Sequence, residues 1–194
     1  MIISLNGECG IESCARRVAR VLETPGAVAL VPTETVYGLV ARVDDPAAYN
    51  RIFELKQRSA AKVLGWFVPD WKDLARYGVQ MAGLPEKVAE KYCPGPVTII
   101  APLTGGGTLG FRSPDHPFLK ALLALTGPLY QTSANLSGQP DPRDVDSALA
   151  ELSGTPAVAV DGGVLPAGAC GSTIVDAAGE ELKILRQGQL IVEL

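Results

Sequence analysis

Short apolar runs that each lead into a polar motif constrain the fold of this chain most strongly. The run at residues 27–31 (AVALV) leads into 32–38 (PTETVYG), and the strand-like stretch 129–132 leads into 133–135 (SAN). Runs of four or five such residues bounded by turn signals are typical of buried strands. In an open α/β sheet, ligands bind beyond the strand ends, where such polar segments converge. The pattern therefore predicts a sheet whose strand ends carry a binding site.

Helical patterns alternate with the strand-like runs. Apolar residues recur at helical spacing over 14–22, 49–56 and 145–152, and Asp45-Pro46 combines a capping side chain with proline at the first helical position. Another helix is predicted from about 115–117 to Gly127, and further strands at 97–101, 157–160, 173–175 and 182–185. We therefore expect an α/β fold in one domain spanning residues 1–194, with a twisted mixed β-sheet flanked by helices and a central groove.

Composition excludes several classes of function. The 194 residues carry a formal net charge of −4, so any contact with nucleic acid should be local. The chain has no apolar stretch near the ~20 residues of a membrane span and no signal-peptide pattern at its N-terminus. Its four cysteines form no CxxC pair and it has one histidine, which disfavours structural zinc. A cytoplasmic protein with reduced thiols and no membrane contact is predicted.

The residues around two common motifs, GxGxxG and the serine-hydrolase triad, argue against a dinucleotide site and a hydrolase. Residues 105–110 (GGGTLG) satisfy GxGxxG, but the chain continues as FRSP, whereas a dinucleotide site needs a helix there. A flexible loop is predicted instead. A serine-hydrolase triad would have to use His116, for which a turn or helix-capping role is sufficient, and no GxSxG elbow accompanies it.

Two cations near the end of an apolar helical stripe are the best candidates for anion binding. Lys56 continues that stripe instead of facing solvent, and Arg58 follows two residues later. Arginine offers a planar fork to phosphate oxygens and lysine a compact charge. Ser133 and Asn135 add a hydroxyl and an amide. The alternatives are a solvated charge pair and a simple strand-to-turn transition.

Taken together, these motifs resemble the threonylcarbamoyl-AMP synthase family, the YrdC-like proteins that begin threonylcarbamoyladenosine synthesis for transfer RNA. The resemblance covers residues ~27 to 190 in family order. The matching segments are 32–39 (PTETVYGL), 52–58 (IFELKQR), 93–98 (CPGPVT), 111–117 (FRSPDHP), 133–138 (SANLSG), 161–163 (DGG), 172–176 (STIVD) and 184–188 (ILRQG).

The resemblance implies a nucleotidyltransferase that converts L-threonine, bicarbonate and ATP, with Mg²⁺, into threonylcarbamoyl-adenylate and pyrophosphate. Downstream proteins that transfer the group to tRNA are the implied partners. By position, the resemblance assigns catalysis to Lys56 and Arg58, ATP binding to Lys56, Arg58, Ser133, Asn135 and Arg186, and threonine binding to Thr33, Lys62, Arg112 and Ser172. It implies no protein ligand to a metal.

The chain departs from the family pattern at five positions. Ser59, Val63 and Thr132 stand where the family has proline. Phe67 stands near a family histidine and Gly171 replaces a glutamate, so a hydrogen-bonding side chain near the substrate is missing twice. Two alternatives therefore stay open. One is a divergent relative that uses another amino acid or carbamoyl substrate. The other is a non-catalytic protein that binds tRNA or double-stranded RNA, recognisable by salt-sensitive RNA affinity without ATP dependence.

Overall fold

A ten-stranded sheet organises the computed structural model, which describes residues 1–7, 10–57, 63–136 and 138–193. The strand order is β1-β8-β2-β3-β7-β4-β6-β5-β9-β10. The strands are β1 Ile2–Ser4, β2 Ala29–Val31, β3 Gly38–Arg42, β4 Gly65–Phe67, β5 Val97–Pro102, β6 Thr108–Arg112, β7 Leu129–Ser133, β8 Val158–Asp161, β9 Thr173–Asp176 and β10 Lys183–Arg186.

The sheet is mixed, as predicted. The pairs β1/β8, β2/β8, β4/β6 and β5/β9 are parallel, whereas β2/β3, β3/β7, β4/β7, β5/β6 and β9/β10 are antiparallel. Ala29 and Val31 pack into one core layer, while Val28 and Leu30 pack into the opposite one. Because helices cover both faces of the sheet at β2, this strand is a continuous apolar run and not an alternation of apolar and polar residues.

Helices flank the sheet on both faces. They are α1 Gly10–Leu22, α2 Pro46–Lys56, α3 Leu84–Tyr92, α4 Pro117–Thr126 and α5 Val145–Glu151, with a 3₁₀ segment at Trp71–Tyr77. α1 and α4 pack together on one face, α2 and α5 on the opposite face, and α3 against β5. The predicted α/β fold with a flanked mixed sheet is confirmed. Within the described ranges, the helices are all too short or too polar to cross a membrane.

One half of the sheet face beneath α1 and α4 is not covered by them. The core layer of these two helices includes Val40, Phe67 and Leu129, but it takes no residue from β5, β6 or β9. On those strands Thr98 and Gly110 line a cavity of about 350 Å³ instead. The helix layer thus leaves an open groove on the second half of the sheet.

Helix α2 begins where the sequence predicts, and its last residue, Lys56, reaches the end of β7. The two carboxylate oxygens of Asp45 accept hydrogen bonds from the backbone N–H of Ala48 at 2.9 Å and of Gly26 at 2.7 Å. Pro46 occupies the first turn, where its missing N–H costs nothing. The helix ends at Lys56, before Gln57 in the left-handed region at φ 47°. The Asp45 cap at the start of α2 and the turn at Gln57 therefore fix the two ends of the helix that carries Lys56.

Replacing Asp45 with alanine is expected to lower the free energy of unfolding by about 1–2 kcal/mol at pH 7. Burial raises the pKa of Asp45, but hydrogen bonds from Ala48 and Gly26 outweigh it and leave the pKa below its usual value. The charged cap therefore stabilises the fold above about pH 4, and this contribution is lost as pH falls through the folded-state pKa. Urea denaturation at pH 7 and pH 3 should show a smaller penalty at pH 3. An equal penalty at both would contradict this account.

The glycine-rich segment is only partly the loop that was predicted. Gly106 and Gly107 adopt positive φ angles in the turn between β5 and β6, but β6 already begins at Thr108. Leu109 is buried in the core beside α3 and pairs with Ala101 of β5. The prediction of a loop through Gly110 is therefore wrong, because pairing with β5 and burial of Leu109 turn its second half into a strand.

Candidate functional site

The cavity over the open half of the sheet is where the polar motifs meet. Four of the site residues predicted from the sequence, together with further hydroxyls on the strands, lie along its wall. The lining includes Thr35, Thr98, Arg112, Ser133, Ser172 and Arg186. Gly65 of β4 and Gly110 of β6 lie close together on the floor and carry no side chains, and a β-carbon on Gly65 would lie 3.1 Å from the Gly110 carbonyl oxygen. The cavity thus has a polar rim and room for a ligand to lie against the sheet.

The segment after β2 folds around the hydroxyl of Thr33. That oxygen donates to the Val36 carbonyl at 2.7 Å and accepts from the N–H groups of Thr35 and Val36 at 3.0 and 3.1 Å. Such side-chain to backbone bonds stabilise turns. The Thr35 hydroxyl lies 2.9 Å from that of Thr33 and lines the cavity. Thr33 therefore shapes the turn and Thr35, which sequence reasoning missed, presents the hydroxyl.

Arg112 is a buried cation at the cavity wall. Its side chain is 4% exposed, Nη1 donates to the Thr35 hydroxyl at 2.9 Å, and Nη2 lies 2.6 Å from a carboxylate oxygen of Glu34. Its guanidinium also lies over the ring of Phe67, 5.5 Å from the centroid. Burial lowers the pKa of Arg112, and the negative charge of Glu34 opposes that shift. Arg112 is therefore held in place on three sides.

Unsatisfied polar atoms cluster around Arg112. In the described ranges, the buried side-chain atoms without a hydrogen-bond partner include Nε of Arg112, Oε2 of Glu34 and Nδ1 of His116, whereas Nη2 of Arg112 is engaged in its ion pair with Glu34. His116 is at the N-cap of α4 but its side chain makes no capping bond, and burial lowers its pKa. Unpaired buried donors on a guanidinium are costly unless a ligand satisfies them. Of these residues Arg112 lines the cavity, so its guanidinium is the candidate in this cluster for binding a carboxylate.

Glu34 and His116 are site residues that the sequence did not reveal. Glu34 accepts a second hydrogen bond, from the backbone N–H of Asp115 at 2.9 Å. This joins the segment after β2 to the start of α4, although the two are 81 residues apart. The one available signal was proximity in the motifs, since Glu34 stands between the two threonines and His116 follows Arg112 closely.

A second grouping forms at the end of β7. Lys56 is 2% exposed, and its ammonium donates to the backbone carbonyls of Ser133 and Asn135. The Ser133 hydroxyl donates to Asn135 Oδ1 at 2.5 Å, and Asn135 Nδ2 donates to the Gln139 carbonyl at 2.6 Å. The structure thus brings the predicted Lys56, Ser133 and Asn135 together. Lys56 fixes the turn, and Ser133 faces the cavity.

Three residues that bear on the predicted site lie outside the described ranges. These are Arg58, Lys62 and Ser59, which follow Lys56 in the sequence. The predicted roles of Arg58 and Lys62 in binding ATP and threonine therefore stay predictions. The chain is described again from Val63, which lines the cavity rim with Leu64.

Arg186 and Ser172 form the opposite wall. Nη2 and Nε of Arg186 donate to the Ser172 carbonyl at 2.9 and 3.1 Å, and the Ser172 hydroxyl lies 2.7 Å from that of Thr98. The guanidinium passes directly over Gly171. A β-carbon there would lie 2.7 Å from Nη2 and 2.9 Å from Cζ of Arg186. The Arg186 guanidinium therefore packs directly against Gly171, at the position where the family pattern has a glutamate.

If Arg186 binds ATP as the family resemblance implies, replacing Gly171 with alanine should weaken ATP binding about tenfold, roughly the loss of one charge-assisted hydrogen bond, because the new methyl group occupies the guanidinium position. Calorimetric titration of ATP measures the effect. Gly179→Ala is the matched control, since a β-carbon at Gly179 meets no atom within 4 Å. Equal ATP affinity in both variants would show that the position of Arg186 does not matter.

One acidic side chain lies near the cations at this end of the cavity. Burial raises the pKa of Asp141, while the positive charges of Arg186 and Lys56 lower it. In the described part of the chain, His, Cys, Asp and Glu side chains do not gather in groups of three or more that could hold a metal ion. The positive charges that act on Asp141 are those of Arg186 and Lys56.

Comparison with known proteins identifies relatives across the chain. The family model Sua5/YciO/YrdC, described as telomere recombination, matches residues 22–188. The threonylcarbamoyl-AMP synthase of Pyrococcus abyssi is 32% identical over 203 residues, covering 100% of this chain and 59% of the relative. A putative threonylcarbamoyl-AMP synthase of Mycobacterium tuberculosis is 32% identical over 177 residues, covering 87% of this chain and 81% of the relative.

Solved structures agree with this relationship. Pyrococcus abyssi Sua5 complexed with L-threonine superposes with a TM-score of 0.82 at 30% identity, covering 98% of this chain and 58% of that one. Escherichia coli YciO shares the fold, with a TM-score of 0.85 at 19% identity over 97% of this chain and 96% of its own. The chain thus spans less than two thirds of the Pyrococcus protein. It belongs to the Sua5/YciO/YrdC family, and the resemblance that its motifs predicted is confirmed.

Proposed function

We propose that this protein synthesises threonylcarbamoyl-AMP from L-threonine, bicarbonate and ATP, releasing pyrophosphate. The observation that carries the proposal is one cavity that holds two chemically different groups of side chains. At the Arg112 end, an unpaired Nε donor lies on the same side chain that holds the Thr35 hydroxyl. At the Ser133 end, a hydroxyl at the end of β7 faces the same cavity, and Arg186 lines the opposite wall beside Ser172. An amino acid and a nucleotide can therefore lie in one space.

The Arg112 end suits the amino acid. Guanidinium binds carboxylate through charge-assisted hydrogen bonds, and the buried setting strengthens them. The hydroxyls of Thr35, Thr98 and Ser172 are available to the polar side chain of threonine. L-threonine in the solved Pyrococcus Sua5 complex supports this choice of amino acid. Arg112, Ser172 and Thr35 are the proposed contacts, with Thr33 shaping the turn that carries Thr35.

The Ser133 end suits ATP. Lys56 holds the turn of Ser133 and Asn135 in place, so the Ser133 hydroxyl is fixed at the end of β7. Arg186 supplies a guanidinium at the cavity wall, together with the proposed contribution of Arg58. Mg²⁺ would enter on the phosphates of ATP, because this ion keeps several waters and readily binds through substrate phosphates.

The chemistry that this arrangement supports is alignment and charge neutralisation. The amine of L-threonine attacks bicarbonate and loses water to form a carbamate, whose oxygen then attacks the α-phosphate and displaces pyrophosphate. Such steps gain most from holding reactants in register and from cations near the developing charge. The nucleotidyltransferase class, a cytoplasmic location, the role in tRNA modification and the downstream transfer partners are parts of the same proposal.

Calorimetric titration of the purified protein with L-threonine, L-serine and L-valine tests the proposal at the amino-acid end. Threonine should bind best, because valine lacks the hydroxyl and serine lacks the methyl group. ATP should bind with or without threonine. Preference for another amino acid would favour a divergent relative, and salt-sensitive RNA affinity with no ATP binding would favour the RNA-binding alternative.

A further inference from the structure

The side chain of Gln131 lies in the middle of the cavity floor and is not used by the site described above. Gln131 pairs with Val40 of β3 on one side and with Gly65 of β4 on the other. Ser133 follows two residues later on the same face of β7. Across Gly65, Gly110 is two residues before Arg112 on β6. Gln131 is thus between the Ser133 end and the Arg112 end.

Gly65 determines how the Gln131 side chain lies. A β-carbon on Gly65 would be 2.8 Å from Nε2 and 3.7 Å from Cδ of Gln131. The carboxamide therefore occupies the space above Gly65, where any other residue would place its side chain. With no side chain on Gly65 or Gly110, the amide is the polar group of this part of the floor.

The carboxamide of Gln131 makes no hydrogen bond to any other described residue, and it lines the cavity. A carboxamide has two N–H donors and a carbonyl acceptor but carries no charge. Its natural complement is a group that also donates and accepts, such as the N–H and C=O of a carbamoyl group. Charged ends of a ligand would pair with Arg112 or Arg186 instead.

We propose that Gln131 is a specificity-determining residue that binds the carbamoyl group joining the amino acid to the nucleotide. The inference rests on the proposed function, because that function places an amino acid at one end of the cavity and ATP at the other. A molecule that bridges both ends passes over Gln131. The amide then donates to the carbamoyl oxygen and accepts from the carbamoyl N–H.

N-carbamoyl-L-threonine is a suitable probe, since its urea group presents the same N–H and C=O in a stable molecule. Calorimetric titration should compare it with L-threonine on the natural protein and on Gln131→Leu, which is one methylene shorter and lacks the hydrogen-bonding carboxamide. We expect the variant to bind the probe about tenfold more weakly, whereas L-threonine affinity should change less than about threefold.

A double-mutant cycle separates this role from general damage to the floor. Gly65→Ala should also weaken the probe, because the methyl group pushes the amide away. The double variant should then bind the probe no more weakly than Gln131→Leu alone. Additive losses, or equal weakening of the probe and L-threonine, would overturn the inference while leaving the proposed function standing. Absence of L-threonine binding to the natural protein would overturn both.

Discussion

Replacing Arg112 with methionine is expected to abolish measurable L-threonine binding and to destabilise the fold by about 3 kcal/mol. Methionine fills much of the same space above Phe67 but leaves the carboxylate of Glu34, which is 19% exposed, without its cation. Breaking a mostly buried pair by removing one partner leaves an uncompensated charge. Titration with L-threonine and urea denaturation measure the two effects.

A second variant separates these effects. Glu34→Gln combined with Arg112→Met removes the stranded charge while keeping a carbonyl that can accept from the Asp115 N–H. The double variant should recover most of the lost stability and none of the threonine affinity. Retained threonine binding in Arg112→Met would show that the amino-acid carboxylate binds elsewhere.

Replacing Lys56 with methionine is expected to cost about 3 kcal/mol of stability and to abolish ATP binding. The ammonium is buried and donates to the carbonyls of Ser133 and Asn135. Both bonds are part-buried, and a buried acceptor left without a partner costs about 1–3 kcal/mol. Because these carbonyls belong to the turn after β7, the Ser133 hydroxyl loses its fixed position as well. Urea denaturation and ATP titration are the measurements.

Ser133→Ala is the matched control for Lys56. It removes the hydroxyl that faces the cavity and its bond to Asn135 Oδ1, but it leaves the lysine and both carbonyls in place. We expect weaker ATP binding with a stability loss of about 1 kcal/mol. If Lys56→Met were as stable as the natural protein, the lysine would not hold the turn, and its role would be confined to the ligand.

The sequence predicts local elements well where one short pattern is sufficient. Asp45-Pro46 predicts the start of α2, and in the structure the Asp45 carboxylate accepts the capping hydrogen bond from the Ala48 N–H. The strand β3 escaped prediction because Gly38–Arg42 is stabilised by pairing with β2 and β7, which lie elsewhere in the chain. β4 has three residues and no alternation to read. Such elements depend on non-local pairing more than on intrinsic preference.

The same distinction applies to the site. The motifs identified Arg112, Ser133, Ser172 and Arg186, and all four line one cavity. The contact between Arg112 and Glu34 could not be read from a chain in which they are far apart. The positions of Arg186 above Gly171 and of Gln131 above Gly65 follow from the folded backbone, where a β-carbon on either glycine would lie less than 3 Å from the other side chain. Sequence patterns report residue types at intervals, and such distances require the folded backbone.

Pyrophosphate release by the purified protein with ATP, Mg²⁺ and bicarbonate, with and without L-threonine, is the decisive measurement for the proposed synthase activity. We expect release that requires both L-threonine and bicarbonate and that is lost in the Arg112→Met, Glu34→Gln double variant. Release that does not depend on an amino acid would contradict it. So would ATP and threonine binding to the natural protein without any release.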